Sequence, residues 1–181
     1  LGGSFNPPHL GHLFISETAI KVLELDYVVW LVSPQNPLKE ESKFLTYEMK
    51  LNECSKLTNN NKIIVSDFES TLPPPYFTYT TLSRIKERCP KAQLYWLMGA
   101  DNMVQFPHWD NWEKIPTLAS LVVFDRDEFM RTATQGIVAK KFKNGRIVEY
   151  TDTVRDKFDW VYIKIPKLNI SSTQIREGTL D

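Results

Sequence analysis

Gly2-Gly3-Ser4-Phe5-Asn6-Pro7-Pro8-His9-Leu10-Gly11-His12 stands near the head of the chain, and its reading decides the fold. Leu1 reads as the end of a strand, Gly2 to Ser4 as a tight loop, and the helical pattern starts near His9. A strand that passes through a glycine turn into a helix is the opening of a parallel α/β sheet. The start of that helix leaves backbone N–H groups carrying roughly half a positive charge, which suits phosphate oxygens, and glycine lets those oxygens come close. His9 and His12, three apart, share one face of the first turn, with Gly11 leaving room beside them. Two other readings of the pair stay open: a helix cap, although neither histidine nor proline is a favoured cap residue, and a metal pair. Against the metal, zinc helices more often pair histidines four apart, no carboxylate lies between these two, and the chain holds only one further histidine, His108.

Outward from this motif, β-branched and aromatic runs at Tyr27 to Val32, Ile63 to Val65, Leu94 to Met98, Leu121 to Phe124 and Val161 to Ile165 read as buried strands. Helical spacing falls between them: Leu10, Leu13, Phe14, Ile20 and Leu23, then Thr46 to Leu57, then Thr80 to Arg88. Alternation of this kind predicts an α/β protein with a Rossmann-like, doubly wound parallel sheet in a single domain, its ligand crevice beyond the carboxyl ends of the strands. The proline-bearing segments Ser33 to Phe44 and Thr71 to Phe77 follow two of those strands and are candidate rims of a pocket. The polar stretch Asp125 to Asp159 fits no firm element, and a mobile insert is one reading of it.

The chain's 181 residues lie within the usual size of one domain. With 22 basic and 22 acidic residues there is no global positive field of the kind that gathers nucleic acid, so phosphate recognition has to come from local geometry. Cys54 and Cys89 have no paired spacing and read as small buried thiols of a reducing compartment. No apolar run approaches the roughly 20 residues of a membrane helix and no leader opens the chain, so the expectation is a cytoplasmic protein without membrane association. The start at Leu1, inside an element, suggests a trimmed sequence.

A second motif lies near the other end: Ile170-Ser171-Ser172-Thr173-Gln174-Ile175-Arg176. Ser171 to Gln174 fits a capping box, and the plain reading is the start of a C-terminal helix. Three hydroxyls and the planar Arg176 guanidinium also supply the donors that a triphosphate tail requires, and the two roles can coexist.

Together, GGSFNPPHLGH and ISSTQIR resemble the HxGH and ISSTxIR motifs of the nucleotidyltransferase superfamily, in matching order and separation. The middle of the chain, with Leu97-Met98-Gly99-Ala100-Asp101-Asn102 and Phe106-Pro107-His108-Trp109-Asp110-Asn111-Trp112, is similar to the bacterial nicotinate-mononucleotide adenylyltransferases, as are Ser33 to Lys39 and Phe77 to Leu82. The likeness covers nearly the whole chain. Phe77, where tyrosine is usual, and Thr80, where aspartate is frequent, depart from the pattern, and the chain ends at Asp181 soon after the second motif, which suggests trimming at that end too.

The resemblance implies AMP transfer from ATP to nicotinate mononucleotide in NAD biosynthesis, with His9, His12 and Arg176 catalytic. Gly2, Gly3, Ser4, Phe5 and Gly11, with Ser171, Ser172 and Thr173, would complete the ATP site. Magnesium is expected on the ATP phosphates and water, with no protein metal ligand. For the mononucleotide, Trp109 is the candidate to stack on the pyridine ring, Asp101 to accept from ribose hydroxyls, Thr78 and Tyr79 to meet the carboxylate, and Lys39 to reach the phosphates. Plainer roles remain for each: Trp109 and Trp112 sharing a helical face in the core, Asp101 as an N-cap, Lys39 as a solvated loop lysine. Three rivals are another transferase of the superfamily acting on phosphopantetheine or an alcohol phosphate, an inactive nucleotide-binding module, and a tRNA synthetase fragment. The Trp109 segment disfavours the first, retention of His9, His12 and Arg176 the second, and the lack of a lysine-rich second motif the third. A homo-oligomer is compatible with all of this.

Overall fold

The computed structural model describes residues 1–34, 45–126, 128–167 and 175. They fall into two compact units, divided between Tyr76 and Phe77. The first contains β1 (Gly2–Gly3), α1 (Leu10–Val22), β2 (Val28–Val32), α2 (Tyr47–Leu57) and β3 (Ile63–Ser66). Its three strands are parallel in the order β1-β2-β3, with Gly2 opposite Leu31 and Val28 opposite Ile63. The second unit contains α3 (Thr78–Arg88), β4 (Tyr95–Gly99), α4 (Ala100–Gln105), α5 (Ile115–Leu118), β5 (Ser120–Phe124), α6 (Met130–Gln135), α7 (Ile137–Lys141), β6 (Gly145–Glu149) and β7 (Trp160–Lys164). Its sheet runs β4-β5-β7-β6, again parallel throughout. Parallel strands joined by helical crossovers, except for the helix-free connection from β6 to β7, make the architecture Rossmann-like α/β, as the alternating pattern predicts.

The apolar runs of β4, β5 and β7 are continuous because both faces of those strands are largely covered, whereas in β2 and β3 Val29 and Ile64 stay exposed and the strand follows from β-branched propensity. In β5, Leu121 to Phe124 are all buried, as are Trp160 to Ile163 in β7. α2 begins where Thr46 accepts a hydrogen bond from the Met49 N–H at 3.3 Å, a side-chain cap of the favoured kind.

Four expectations are corrected. In α1 the buried residues include Gly11, Ser16, Thr18, Ala19 and Val22, while Leu10 is 62% exposed and only Leu23 of the anticipated stripe is buried. Small side chains let the helix lie close to the sheet, so the buried face is the slim one and not the bulky one. α3 starts at Thr78, two residues before the expected Thr80. The stretch from Asp125 to Asp159 holds two short helices and a strand, β6. β6 escapes a pattern search because it is an edge strand: Ile147 stays 44% exposed, so no continuous apolar run is needed. A Cβ on its first residue, Gly145, would overlap the Trp160 indole, whose Nε1 donates to the Phe142 carbonyl at 2.7 Å. Finally, Cys89 is exposed at the end of α3, and only Cys54 is a buried thiol.

Among the described residues no helix is long and apolar enough to cross a membrane.

Burial pushes the Cys54 thiol up to about 12, with nearby Lys50 opposing. Since the thiolate is the reactive form, a thiol reagent at mildly alkaline pH should label Cys89 rapidly and Cys54 only after denaturant is added. Mass spectrometry counts the adducts, and rapid double labelling of folded protein would contradict this packing.

Candidate active site

In the first unit, β1 hands the chain directly into the turn before α1. The Gly3 carbonyl accepts from the Ser33 N–H at 3.0 Å, which ties the end of β1 to the residue following β2. Phe5 then takes a left-handed backbone, φ 44°, at a cost of about 1–2 kcal/mol for a residue with a side chain. The burial of its ring offsets that cost: Phe5 is 1% exposed and stacks on Trp30 of β2 with centroids 5.1 Å apart.

His9 is the N-cap of α1. Its Nδ1 accepts from the Gly11 N–H at 3.1 Å, and the His9 N–H donates to His12 Nδ1, also at 3.1 Å. The pair thus forms a reciprocal capping box with imidazoles where Ser or Thr and Glu are usual. The cap reading and the phosphate reading therefore meet in the same two side chains. Two early backbone N–H groups are taken up by the rings, and the donor presented shifts from amide to imidazole. A ring nitrogen that accepts from a backbone N–H holds a lone pair, so in the neutral ring the proton of each histidine sits on Nε2. The two rings lie 3.9 Å apart between centroids, His9 is 7% exposed, and the first turn of α1 carries no acidic residue to offset its positive end. Phe5 lies 4.8 Å from the His12 ring and Trp30 meets it edge-on at 6.1 Å.

Two side chains at this site were not anticipated from sequence. Ser16, one turn after His12, donates to the His12 carbonyl at 2.7 Å and accepts from Trp30 Nε1 at 2.8 Å. Lys50 of α2 is buried, and its ammonium donates to the carbonyls of Ser33 at 3.0 Å and Pro34 at 3.1 Å, at the carboxyl end of β2. Burial holds the Lys50 pKa below its ordinary value. A lysine four residues before an apolar cysteine on one helix face is the sole sequence cue to that burial.

In the second unit, Thr78 and Tyr79 form the first turn of α3, whose N-cap residue Phe77 offers no side-chain acceptor. The Tyr79 ring has the Lys114 ammonium 5.7 Å from its centroid. Asp101 follows β4, as expected, but Gly99 is the N-cap of α4 and Asp101 stands inside its first turn. It faces Arg126 at 3.4 Å, while its Oδ1 is buried and accepts no hydrogen bond. A Cβ on Gly99 would meet Asp101 Oδ1 at 2.5 Å and Arg126 Nε at 3.1 Å, so a bare glycine is what admits this ion pair.

Trp109 and Trp112 do not share a helical face. Trp109 is extended and Asn111 between them is left-handed at φ 49°. Both rings pack on Phe106, Trp109 at 5.2 Å and Trp112 at 6.0 Å. Trp112 is further flanked by Phe142 at 6.1 Å and the Lys141 ammonium at 5.5 Å, but it is half-buried and not the core residue expected. Trp109 touches Trp96 edge-on, and its buried Nε1 has no hydrogen-bond partner.

The structure thus gathers Gly2, Gly3, Ser4, Phe5, His9, Gly11 and His12 around one helix start, and gives Thr78, Tyr79, Asp101 and Trp109 their own neighbours in the second unit. Lys39, Ser171, Ser172, Thr173 and Arg176 lie outside the described residues. Among the described residues no three His, Cys, Asp or Glu side chains form a metal-binding group.

The cytidylyltransferase-like family model matches residues 1–178. A protein of Agrobacterium fabrum described as a "probable nicotinate-nucleotide adenylyltransferase" is 36% identical over 180 residues, covering 98% of this chain and 96% of its own. A Rhizobium johnstonii protein of the same description is 37% identical over 181 residues, covering 98% and 90%. The fold matches the solved structure of Plasmodium falciparum nicotinic acid mononucleotide adenylyltransferase complexed with NaAD, at a TM-score of 0.72 and 21% identity, over 97% of this chain and 80% of that one. With the motif built as a histidine-capped helix start and relatives alike along their whole length, the chain belongs to the nicotinate-nucleotide adenylyltransferases of the cytidylyltransferase-like family.

Proposed function

We propose that this chain transfers the adenylyl group of ATP to nicotinate mononucleotide, giving nicotinate adenine dinucleotide and pyrophosphate in NAD biosynthesis. Family membership supports the reaction, and the reciprocal cap of His9 and His12 is the observation that carries its chemistry.

A phosphate oxygen of the mononucleotide attacks the α-phosphorus of ATP in line. The new O–P bond forms as the bond to the bridging oxygen breaks, and pyrophosphate leaves with that electron pair. No group on the protein needs to form a bond, so positioning and charge stabilisation account for the acceleration. His9 and His12 donate from Nε2–H to phosphoryl oxygens as negative charge builds, with the cap on each Nδ1 keeping the proton on the donating side. Gly2, Gly3, Ser4, Phe5 and Gly11 shape the turn that the phosphates enter. Ser171, Ser172, Thr173 and Arg176 hold the β and γ phosphates in this reading. ATP arrives as its magnesium complex, the ion held by phosphate oxygens and water.

In the second unit, Trp109 stacks on the pyridine ring. Asp101 Oδ1, a buried acceptor in need of a donor, takes a ribose hydroxyl. Thr78 and Tyr79 face the nicotinate carboxylate from the start of α3, where the N-cap Phe77 side chain makes no cap bond to the N–H groups. Lys39 assists at the phosphates. The same reading assigns the enzyme to the cytoplasm.

His12→Ala removes one donor to the transition state and one cap bond. Turnover, followed as pyrophosphate release, should fall by about 10²–10³-fold. Loss of the cap bond should lower stability by roughly 0.5–2 kcal/mol in urea unfolding. A folded His12→Ala enzyme with wild-type turnover would rule out the mechanism.

Trp109→Ala should raise KM for nicotinate mononucleotide about 5- to 150-fold, the equivalent of roughly 1–3 kcal/mol of stacking, with KM for ATP nearly unchanged. Titration of each substrate at saturating levels of the other separates the two constants, and an equal rise in both would refute the assignment.

A further inference from the structure

We propose that Trp30 and Ser16 are positioning residues for the His12 imidazole, an inference that rests on the phosphoryl-stabilising role given to His12 above. Ser16 stands one turn beyond His12 in α1 and is fully buried. Its hydroxyl donates to the His12 carbonyl at 2.7 Å and accepts from Trp30 Nε1 at 2.8 Å, so both its donor and an acceptor site are engaged and its rotamer is set. Trp30 is itself fully buried on β2 and carries the stacked ring of Phe5 on its face. His12 is held between the Phe5 ring at 4.8 Å, the edge-on Trp30 indole at 6.1 Å and the His9 ring at 3.9 Å.

Burial alone does not call for these two residue types. Phenylalanine would fill a sheet position as an apolar ring, and what the indole adds is an N–H. Alanine is the better helix former at a buried interior position, and a serine bonding back to the carbonyl four residues earlier slightly disfavours the helix. The two local disadvantages are resolved together by the Trp30–Ser16–His12 chain, which fastens the first turn of α1 to β2 at the residue bearing the reacting-side imidazole. A displacement of about 1 Å in a catalytic group is enough to cost on the order of 10²-fold in rate. A chain of two short hydrogen bonds from a fully buried indole is suited to prevent that displacement.

The test compares the wild type with Trp30→Phe, Ser16→Ala and the double variant. Each single variant should lose about tenfold in kcat, with KM for ATP and for nicotinate mononucleotide within about twofold of wild type. Ser16→Ala removes both bonds of the chain and Trp30→Phe only the indole–hydroxyl bond, so the double variant should lose no more than Ser16→Ala alone. The His9 N–H bond to Nδ1 sets the His12 tautomer, so nitrogen NMR of the ring should show Nε2–H in wild type, and shifted, exchange-broadened ring signals in both single variants as the loosened first turn weakens that bond. Unchanged kcat, losses that multiply in the double variant, or His12 signals identical to wild type would each overturn the proposal. Should Trp30→Phe fail to fold, Ser16→Ala, which keeps every ring, is judged by the same kcat and NMR criteria. Wild-type protein that releases no pyrophosphate from ATP and nicotinate mononucleotide would sink the functional reading alone, and the NMR comparison would still decide the positioning role.

Discussion

A helix begins with four backbone N–H groups that have no carbonyl to bond within the helix, and they must find acceptors. In α1 the acceptors for two N–H groups at this start are imidazole nitrogens: His9 Nδ1 takes the Gly11 N–H and His12 Nδ1 takes that of His9. This local necessity settles several things at once. It orients both rings, places their protons on Nε2, and couples them to the positive end of the helix. A serine cap would satisfy the backbone equally well, but the one donor it keeps is the O–H on the capping oxygen itself. Histidine extends the reach of the helix start by the width of a ring.

The rest of the first unit serves to hold that turn in place. Gly3 is anchored through Ser33, whose own carbonyl is bonded by the buried Lys50 ammonium. Phe5 accepts a left-handed backbone so that its ring reaches Trp30, and Trp30 bonds Ser16 beneath His12. The slim face of α1, with Gly11, Thr18 and Ala19, lets the helix lie close enough for these bonds to form. A buried lysine is costly unless paired, and the carbonyls that end β2 are what it pairs with. The second unit shows the same economy around Asp101, where the absence of a side chain at Gly99 admits the contact with Arg126 and leaves one carboxylate oxygen in need of a donor.

Several sequence cues were right about residue type and silent about partner. Asp101 was legible as a carboxylate following a strand, yet its place inside the first turn of α4 and its Arg126 neighbour depend on where β5 ends. Trp109 and Trp112 look like one helical face at a spacing of three, but a single left-handed residue, Asn111, breaks the helix between them. Asparagine tolerates that conformation better than most residues, which is a weak cue at best.

The sequence by itself determined the strands β2, β3, β4, β5 and β7, the main helices, and the histidine pair at the head of α1. These are read from runs and spacings, which depend only on backbone period and on local β-branched and apolar composition. Tertiary structure alone decided which face of α1 is buried, that β6 joins the sheet edge, that Lys50 is buried and Cys89 is not, and that the histidines cap the helix they lead. Those outcomes depend on which surface is presented opposite each residue, and periodicity carries no record of an opposing surface.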